Sequence, residues 1–367
     1  MRLGDVATYI NGFAFKPSDW SDEGLPIIRI QDLTGNSYQA NRYNGSYQPK
    51  YEVNDGDVLI SWSASLGVYV WHGEKAVLNQ HIFKVVFDKA EVDKNFFVHQ
   101  VQNILENAAS EAHGATMKHL TKPVFDALPF YLPSIEKQRK IATVLDKVTE
   151  LIALRKEQLA KLDQLVKSRF IELFENEEYE KATVSSVLNT GFWLMPATPE
   201  FVVNGEVPYI TSKNIKNRTI DFDNVKYISR EAYKSISANR PTQKGDILIS
   251  MIGTLGQTAV IQDDREFYGQ NLYLLRLDNT IVNTTYFCEF FNSDTAQYEL
   301  QGKRNQSTQA YLKANHVEDL ILPLPPMELQ EQFAAFVEQT DKSKLAVQQA
   351  LEKLETLKKS LMQQYFG

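Results

Sequence analysis

Short runs of β-branched and aromatic residues, separated by Gly, Asp and Asn, dominate the first ~134 residues of the chain. Residues 58–60 and 82–87 are such runs, and each predicts a short strand. Apolar residues recur at helical spacing at Phe97, Val101, Ile104 and Leu105, which predicts an amphipathic helix over residues 95–109. Strands and helices do not alternate regularly, so the pattern predicts a mixed α/β (α+β) globular domain.

A long helix is predicted directly after this domain. Pro133 suits a helix start, and no further Pro or Gly occurs before Gly191. A helix over residues 136–174 would be roughly 58 Å long at ~1.5 Å per residue. Charged residues interrupt its apolar seam, which is still typical of a coiled coil. The seam consists of Leu145, Val148, Ile152, Leu159, Leu162, Val166 and Leu173.

The same two-part pattern occurs twice in the chain. Residues 56–61 (GDVLIS) recur 189 positions later as residues 245–250 (GDILIS). Three further matches keep the same order along the chain, and their offsets lie between 182 and 192 residues. These pairs are 25–28 with 207–210, 80–83 with 270–273, and 132–138 with 324–330. We interpret them as a duplicated unit, since chance would not preserve the order of four matches.

The second copy predicts a second long helix at the end of the chain, with a seam that includes Val337, Val347, Leu351, Leu354, Leu361 and Tyr365. A duplicated chain can close on itself about a pseudo-two-fold axis, which would make the two helices antiparallel and place the globular domains at opposite ends. Pairing of each helix with another chain is the alternative. The predicted divisions are a first domain over 1–134, a helix over 135–176, a second domain over 177–326 and a helix over 327–367.

Composition restricts the class of protein. Apolar residues make up 43% of the chain and charged residues 23%, which is ordinary globular usage. There is neither a run of ~18 apolar residues nor an N-terminal secretory signal, so we expect a cytoplasmic protein without a membrane span. The single cysteine, Cys288, excludes an internal disulfide and is expected to be a small buried residue.

The charge balance limits any role in nucleic-acid binding. The chain has a net charge of −7, which argues against a protein that clamps DNA unaided. Residues 135–174 carry nine basic and six acidic side chains, a local net charge of +3. Any DNA binding must therefore use local basic loops or a basic partner.

Motifs for catalysis are absent from the sequence. It contains no P-loop, no G-x-G-x-x-G, no H-E-x-x-H, no G-x-S-x-G, no C-x-x-C and no Asn-Pro-Pro-aromatic tetrapeptide. The six histidines lack metal-ligand spacing, and His113 and His119 are the nearest pair. Gly253 and Gly256 follow a predicted strand and favour a turn over a phosphate cradle. The sequence therefore predicts no enzymatic site.

The ordered motifs resemble those of a known family. They are the segments 25–33 (LPIIRIQDL) and 207–215 (VPYITSKNI), the two Gly-Asp strands, and the proline segments 128–138 and 320–330 that lead into Glu-x-Gln. Each motif alone is weak, but the whole set occurs twice and extends along the chain. In these features the chain resembles the specificity (S) subunit of type I restriction-modification systems.

The resemblance implies two target-recognition domains joined by two antiparallel helices, with no catalysis in this chain. Such subunits recognise a two-part site in double-stranded DNA and dock two methyltransferase subunits, with restriction translocase subunits added in the full complex. S-adenosylmethionine, ATP and Mg²⁺ would belong to those partners, which would also flip the target base. Half-sites on one DNA face lie about 34–36 Å apart, so we predict an unread gap of roughly 5–8 base pairs.

Candidate DNA-binding residues lie in the loops where the two copies differ, because Arg, Lys, Asn and Gln are the side chains that read base edges. In the first copy they are Arg29, Gln31, Trp62, Ser63, Met117, Lys118 and His119. In the second copy they are Ser212, Lys213, Asn214, Lys216, Lys303, Arg304, Asn305, Gln306, Thr308, Gln309 and Tyr311. The segment 303–311 is the strongest candidate because it is polar, basic and rich in amides, although a solvated loop would have the same composition.

Candidate partner-binding residues begin the two long helices. They are Glu136, Gln138, Glu328 and Gln330. Acidic groups at a helix start also interact favourably with the helix dipole, so capping is an alternative role for the two glutamates.

Two other functions remain open at this point. The first is a nuclease or methyltransferase with unrecognised chemistry, for which pairs such as Asp93-Lys94 are too common to be diagnostic. The second is a coiled-coil scaffold without a role in DNA binding. The scaffold hypothesis predicts that substitutions in 303–311 leave partner function intact.

Overall fold

The chain forms two units. The computed structural model describes residues 1–36, 41–63, 65–111, 121–194, 198–203, 205–216, 218–253, 255–303 and 311–367. Unit 1 comprises Met1–Lys156 and Gln349–Gly367, and unit 2 comprises Glu157–Gln348. Each unit therefore contains one copy of the repeat together with parts of both long helices.

Unit 1 contains eight short strands within its described residues. They are β1 (Thr8–Asn11), β2 (Leu25–Ile28), β3 (Arg42–Tyr43), β4 (Glu52–Val53), β5 (Val58–Ser61), β6 (Gly67–Val70), β7 (Ala76–Leu78) and β8 (Ile82–Val86). The helices that begin in this unit are α1 (Ile30–Leu33), α2 (Lys94–Glu111), α3 (Lys122–Ala127) and α4 (Ile135–Phe170). The strands predicted at 58–60 and 82–87 and the helix predicted at 95–109 are thus confirmed.

Two four-stranded sheets organise unit 1. The first has the order β1-β8-β5-β6 and is antiparallel throughout, with Ile60 opposite Phe83. The second has the order β3-β2-β7-β4, in which β2 and β7 are parallel, with Ile27 opposite Val77. Every residue of β5 and β7 is buried, which explains why these strands appear in the sequence as continuous apolar runs.

Unit 2 contains eleven strands within its described residues. They are β9 (Glu180–Thr183), β10 (Leu188–Leu194), β11 (Val207–Ile210), β12 (Ile215–Lys216), β13 (Thr219–Ile220), β14 (Lys226–Ile228), β15 (Ile247–Ser250), β16 (Thr258–Val260), β17 (Tyr268–Gly269), β18 (Leu272–Leu277) and β19 (Ile321–Leu324). The helices that begin in this unit are α5 (Arg230–Ser237), α6 (Thr284–Asn292), α7 (Asp294–Gly302), α8 (Ala314–Glu318) and α9 (Met327–Phe366).

The sheets of unit 2 repeat the topology of unit 1. The order β10-β18-β15-β16 corresponds to β1-β8-β5-β6, and β14-β11-β17 corresponds to β3-β2-β7. The one parallel pair recurs as well, with Tyr209 opposite Tyr268. The duplication inferred from four sequence motifs is therefore a duplication of fold, and the mixed α/β class is confirmed.

The repeated Gly-Asp dipeptide forms the turn into the central strand of each unit. Gly56 and Gly245 have φ of 84° and 90°, a left-handed backbone conformation that favours glycine. The carboxylate of Asp57 accepts a hydrogen bond from the Asn54 amide at 2.9 Å, and that of Asp246 accepts one from the Gln243 amide at 2.8 Å. The motif recurs because the same turn needs both residues.

The long helices pair in an antiparallel manner within each unit. In unit 1, Leu145 of α4 and Met362 of α9 share one buried cluster, and Lys156 lies 3.1 Å from Glu355. In unit 2, Phe170 packs against Phe333, and the Lys344 ammonium lies 2.6 Å from Asp163. The seams are thus covered by the chain itself. The helix predicted to reach residue 174 ends at Phe170 and continues as a π-helical turn, Ile171–Glu175.

Burial of single residues agrees with the apolar pattern. Cys288 is buried in the core of unit 2, and burial raises the pKa of its thiol to about 12, so the thiol stays protonated. None of the helices in the described part of the chain is both long and apolar enough to cross a membrane.

A buried histidine should make the stability of unit 1 depend on pH. The ring of His99 lies 2.7 Å from the carboxylate of Asp146, which also accepts a hydrogen bond from Asn95 at 2.7 Å. Burial lowers the pKa of His99, and the nearby Lys358 lowers it further, although Asp146 and Asp93 oppose this shift. The unfolded chain therefore binds more protons near pH 6.5 than the folded chain.

We expect unit 1 to lose stability as the pH falls through about 6.5 and below. His99→Gln should make the melting temperature less dependent on pH between about 7.5 and 5.5, because glutamine can donate to Asp146 but does not titrate in this range. His72→Gln is the matched control, since His72 is exposed. Equal pH dependence in the wild type and His99→Gln would contradict this assignment.

Candidate nucleic-acid interface

The end of β5 presents the tryptophan predicted to contact DNA. The Trp62 indole N–H donates to the side-chain oxygen of Asn11 at 3.2 Å, and its ring stacks on Phe83 with centroids 5.7 Å apart. Trp62 is half-buried, whereas Ser63 is 5% exposed. The ring is therefore held in place with part of its surface open, while Ser63 is buried and offers little surface for contact with DNA.

In both units, a residue with a left-handed backbone conformation accepts a hydrogen bond from the residue that follows this strand. His81 has φ of 72° and Asn271 has φ of 62°, although neither is glycine. The His81 carbonyl accepts a hydrogen bond from the Trp62 amide at 3.2 Å, and the Asn271 carbonyl accepts one from the Met251 amide at 3.2 Å. The two units thus fix the residue after the central strand in the same way, but Trp62 occupies that position in one and Met251 in the other.

The segment after β2 places a cation between an aromatic ring and a carboxylate. The Arg29 guanidinium lies 5.8 Å from the centre of the Trp20 ring and 3.5 Å from Asp32. Only 16% of the Arg29 side chain is exposed, so any contact with DNA would use a small part of it. Gln31 is half-buried, and its carbonyl accepts a hydrogen bond from the Asn36 amide at 2.9 Å.

In the corresponding segment of unit 2, some of the predicted DNA-binding residues hold a turn and others lie on the surface. Ser212 is 8% exposed, and the side chain of Asn214 bonds to the Thr211 amide at 2.9 Å and the Asp221 carbonyl at 3.0 Å. These side chains hold the turn. Lys213 and Lys216 are exposed, although Lys216 forms an ion pair with Asp221 at 2.7 Å.

The two ends of the predicted reading loop in unit 2 are described. Lys303 pairs with Glu299 at 2.7 Å, and Tyr311 forms a β-bridge with Ile252, the residue after Met251. The loop therefore ends beside the strand end at which the two units differ. The remaining candidates lie outside the described residues; they are Met117, Lys118, His119, Arg304, Asn305, Gln306, Thr308 and Gln309.

Sequence reasoning missed one exposed aromatic residue near this loop. Tyr298 lies on α7, the helix that leads directly into the loop, and it is 81% exposed. An isolated tyrosine in an otherwise polar helical segment was the available signal. Tyrosine can contact both phosphates and bases, so Tyr298 joins the candidate residues of unit 2.

The glutamines at the helix starts have an internal role in each unit. The Gln138 side chain accepts from the Asp93 amide at 2.8 Å and donates to the Pro133 carbonyl at 2.8 Å. Gln330 accepts from the Asn283 amide at 2.8 Å and donates to the Pro325 carbonyl at 2.9 Å. Each is 1% exposed.

Burial therefore corrects part of the predicted partner-binding set. Gln138 and Gln330 tie the start of a long helix to the domain of the same unit, and neither side chain has surface left for a partner. Glu136 and Glu328 are exposed in the first turns of α4 and α9, where a carboxylate also interacts favourably with the helix dipole.

An ion-pair network connects the domain of unit 2 to its helices. The Arg218 guanidinium bonds to Glu289 and to Asp341, the latter at 2.8 Å. Lys344 contacts Asp341 and Asp163, at 3.4 and 2.6 Å. Burial raises the pKa of Glu289 despite the adjacent guanidinium. The network helps to orient the domain of unit 2 on the helix pair.

Comparison with known proteins agrees with this architecture. The family model for the type I restriction modification DNA specificity domain matches residues 1–164 and 176–357. The chain belongs to this family. The specificity-subunit resemblance is thus confirmed, and the chain contains the specificity domain in two copies, as expected for a role in DNA sequence specificity.

Relatives of the family match the chain over its length. The type I restriction enzyme EcoBI specificity subunit of Escherichia coli is 22% identical, over 100% of this chain and 85% of that protein. The MjaVIII specificity subunit of Methanocaldococcus jannaschii is 21% identical, over 99% of this chain and 90% of that protein.

Solved structures of specificity subunits show the same fold. A type I restriction-modification S subunit from M. genitalium superposes with a TM-score of 0.60 at 14% identity, covering 99% of this chain and 94% of that one. A chain from a structural study of type I complex assembly has a TM-score of 0.55 at 16% identity, covering 100% of this chain and 96% of that one.

Proposed function

We propose that this specificity subunit reads a two-part site in double-stranded DNA, with one half read by each unit. Its long helices dock two methyltransferase subunits, and restriction translocase subunits join in the full complex. Catalysis belongs to those partners, which use S-adenosylmethionine, ATP and Mg²⁺. This chain supplies recognition and spacing.

One observation carries the proposal. Both units fix the residue after the central strand with the same left-handed kink, yet Trp62 of unit 1 is half-buried with part of its ring open, whereas Met251 of unit 2 is fully buried. The supporting turn and sheet order are also the same. A shared scaffold that presents a different surface beside the same strand end, the Trp62 ring in unit 1 and the segment ending at Tyr311 in unit 2, is suited to reading two different half-sites.

Exposed apolar residues on the helices support the docking of partners. Val144, Leu154 and Leu357 of unit 1 are 40%, 50% and 46% exposed, and Leu165 and Leu345 of unit 2 are 48% and 61% exposed. Exposed apolar side chains that lie on rigid helices suit association with another protein. Glu136 and Glu328 are exposed charged groups in the first turns of the same two helices.

The test is a selection of DNA by the assembled complex. The full chain is co-purified with its cognate methyltransferase subunit, and bound sequences are recovered from a random DNA library. We expect two short, different motifs separated by a fixed gap of roughly 5–8 base pairs. A triple substitution, Arg304→Ala with Asn305→Ala and Gln306→Ala, should degrade one half-motif only, by about tenfold or more in affinity.

A matched triple substitution elsewhere on the surface of unit 2 controls for indirect effects. Asn176→Ala with Glu177→Ala and Glu178→Ala also removes exposed polar groups, lies outside both long helices and should leave both half-motifs intact. A single contiguous motif would contradict the two-part reading. Recovery of no motif from a well-folded complex would favour the scaffold hypothesis instead.

A further inference from the structure

Unit 1 contains an aromatic pocket that lies outside the predicted DNA-reading residues. Its volume is about 350 Å³, and its lining consists of Phe13, Phe15, Tyr43, Ser46, Tyr47, Gln48 and Tyr51. The Phe13 ring is 5.0 Å from Phe15 and 5.7 Å from Tyr51, measured between ring centres. The volume is at the small end of the range for ligand pockets, which suits one planar ring system.

Hydrogen bonds hold the tyrosines of this pocket in place. The Tyr43 hydroxyl donates to the Ser46 carbonyl at 3.0 Å, and the Tyr47 hydroxyl donates to the Glu52 carboxylate at 3.0 Å. Lys75 lies 2.9 Å from the same carboxylate and balances its charge. The bond to Glu52 raises the pKa of Tyr47, so this phenol remains a donor. The pocket is therefore formed before any ligand binds, which lowers the entropic cost of binding.

The lining of the pocket offers aromatic and amide groups, and a cation lies next to one of its rings. Phe13 is 43% exposed, whereas Phe15 beneath it is 8% exposed. The Lys50 ammonium lies 4.9 Å from the centre of the Tyr51 ring. Gln48 is exposed and can hydrogen-bond to the edge of a base. Aromatic rings for stacking, an amide for the edge and a cation for phosphate match the parts of a nucleotide.

The pocket adjoins the strand end that carries Trp62. The Phe13 amide donates to the Leu78 carbonyl at 2.8 Å, and the Phe13 carbonyl accepts from the Gln80 amide at 2.8 Å. Gln80 directly precedes His81, whose carbonyl holds the Trp62 amide. Backbone hydrogen bonds thus join the wall of the pocket to the proposed reading surface.

We propose that this pocket binds a single nucleobase against the rings of Phe13 and Tyr51, with Lys50 near the attached phosphate. The source of the base would be a nucleotide unstacked from the DNA that unit 1 binds. In this respect the inference rests on the proposed function. A free nucleotide has the same chemistry, and the experiment separates the two sources. Unstacking a paired base costs free energy, so a base that is already mispaired should enter more readily.

The first arm of the test uses the complex of the full chain with its methyltransferase. Single mismatches are placed in turn through the half-site of unit 1 and its flanks, and affinity is measured for each duplex. We expect one position at which a mismatch strengthens binding by about tenfold. Tyr51→Leu and Phe13→Leu should abolish this gain, whereas Tyr51→Phe, which keeps the ring, should retain it.

In the second arm, adenosine and thymidine monophosphates are titrated into the full chain, and binding is measured from the change in tyrosine fluorescence. Nucleotide binding lost in Tyr51→Leu, without any gain from mismatches, would support the pocket with a free nucleotide as its ligand. Absence of both effects would overturn the proposal, while two half-motifs in the wild-type selection would still support the proposed function. If Tyr51→Leu fails to fold, Phe13→Leu still tests the proposal. Phe13 is more exposed than Tyr51, so its replacement should disturb folding less, and the gain in affinity from a mismatch depends on both rings.

Discussion

Phe333→Ala is expected to destabilise unit 2 by about 4 kcal/mol. Phe333 of α9 is 1% exposed, and its ring lies 5.2 Å from Phe174 and 5.8 Å from Phe170 between centres. Removing the ring leaves a cavity between rigid aromatic neighbours that cannot close it. The loss should also loosen the antiparallel helix pair, because Phe170 belongs to α4.

Hydrogen exchange of the β15 and β18 amides measures this change within unit 2, since separate units need not unfold together. Leu345→Ala is the matched control, because Leu345 lies on the same helix and is 61% exposed. We expect the control to change stability by no more than about 0.5 kcal/mol. An equal effect of the two substitutions would show that Phe333 is not a core residue.

Gln330→Met is expected to destabilise unit 2 by about 3 kcal/mol. Methionine keeps most of the volume of the buried side chain but cannot replace its hydrogen bonds. The Asn283 amide and the carbonyls of Pro325 and Ile281 would lose a partner that now lies 2.8 to 3.2 Å away. Leaving buried polar groups unsatisfied costs about 1–3 kcal/mol each.

The functional consequence should be confined to one half of the DNA site. Because Gln330 ties α9 to the domain of unit 2, its loss should weaken selection of the half-motif assigned to that unit. Gln138→Met should act in the same way on unit 1, and Gln262→Met, at an exposed position of the domain of unit 2, is the control. Loss of both half-motifs from Gln330→Met alone would show a general folding defect.

The Gly-Asp dipeptides that form the matching turns were visible in the sequence as a repeat, because both requirements of the turn are local. Glycine permits the left-handed backbone of Gly56 and Gly245, and the next residue closes the turn with its own carboxylate. The kinks at His81 and Asn271 were not predicted, since neither residue type requires a positive φ. They became visible as a matched pair only when both strand ends could be compared.

The candidate site was predicted less completely than the fold. Residue type predicted Lys213 and Lys216 of unit 2 as DNA-binding residues, and both are exposed. It could not distinguish them from Ser212 and Asn214, whose side chains hold the turn. Likewise, Gln138 and Gln330 looked available at the helix starts, yet both are buried. Burial depends on which distant segment packs over a residue, and no local pattern records that.

By itself, the sequence determined the duplication, the positions of the main strands and the two long helices. These features depend on periodicity and on turn residues, which act over a few positions. Only the tertiary structure decided that Gln138 and Gln330 are buried and hydrogen-bonded to their domains, and that the aromatic pocket forms. The pocket requires residues 13–15 to meet residues 43–51, and that meeting depends on how β2 pairs with β3 and β7. Contacts between segments thirty residues apart are set by sheet pairing, which the local order of apolar and polar residues does not specify.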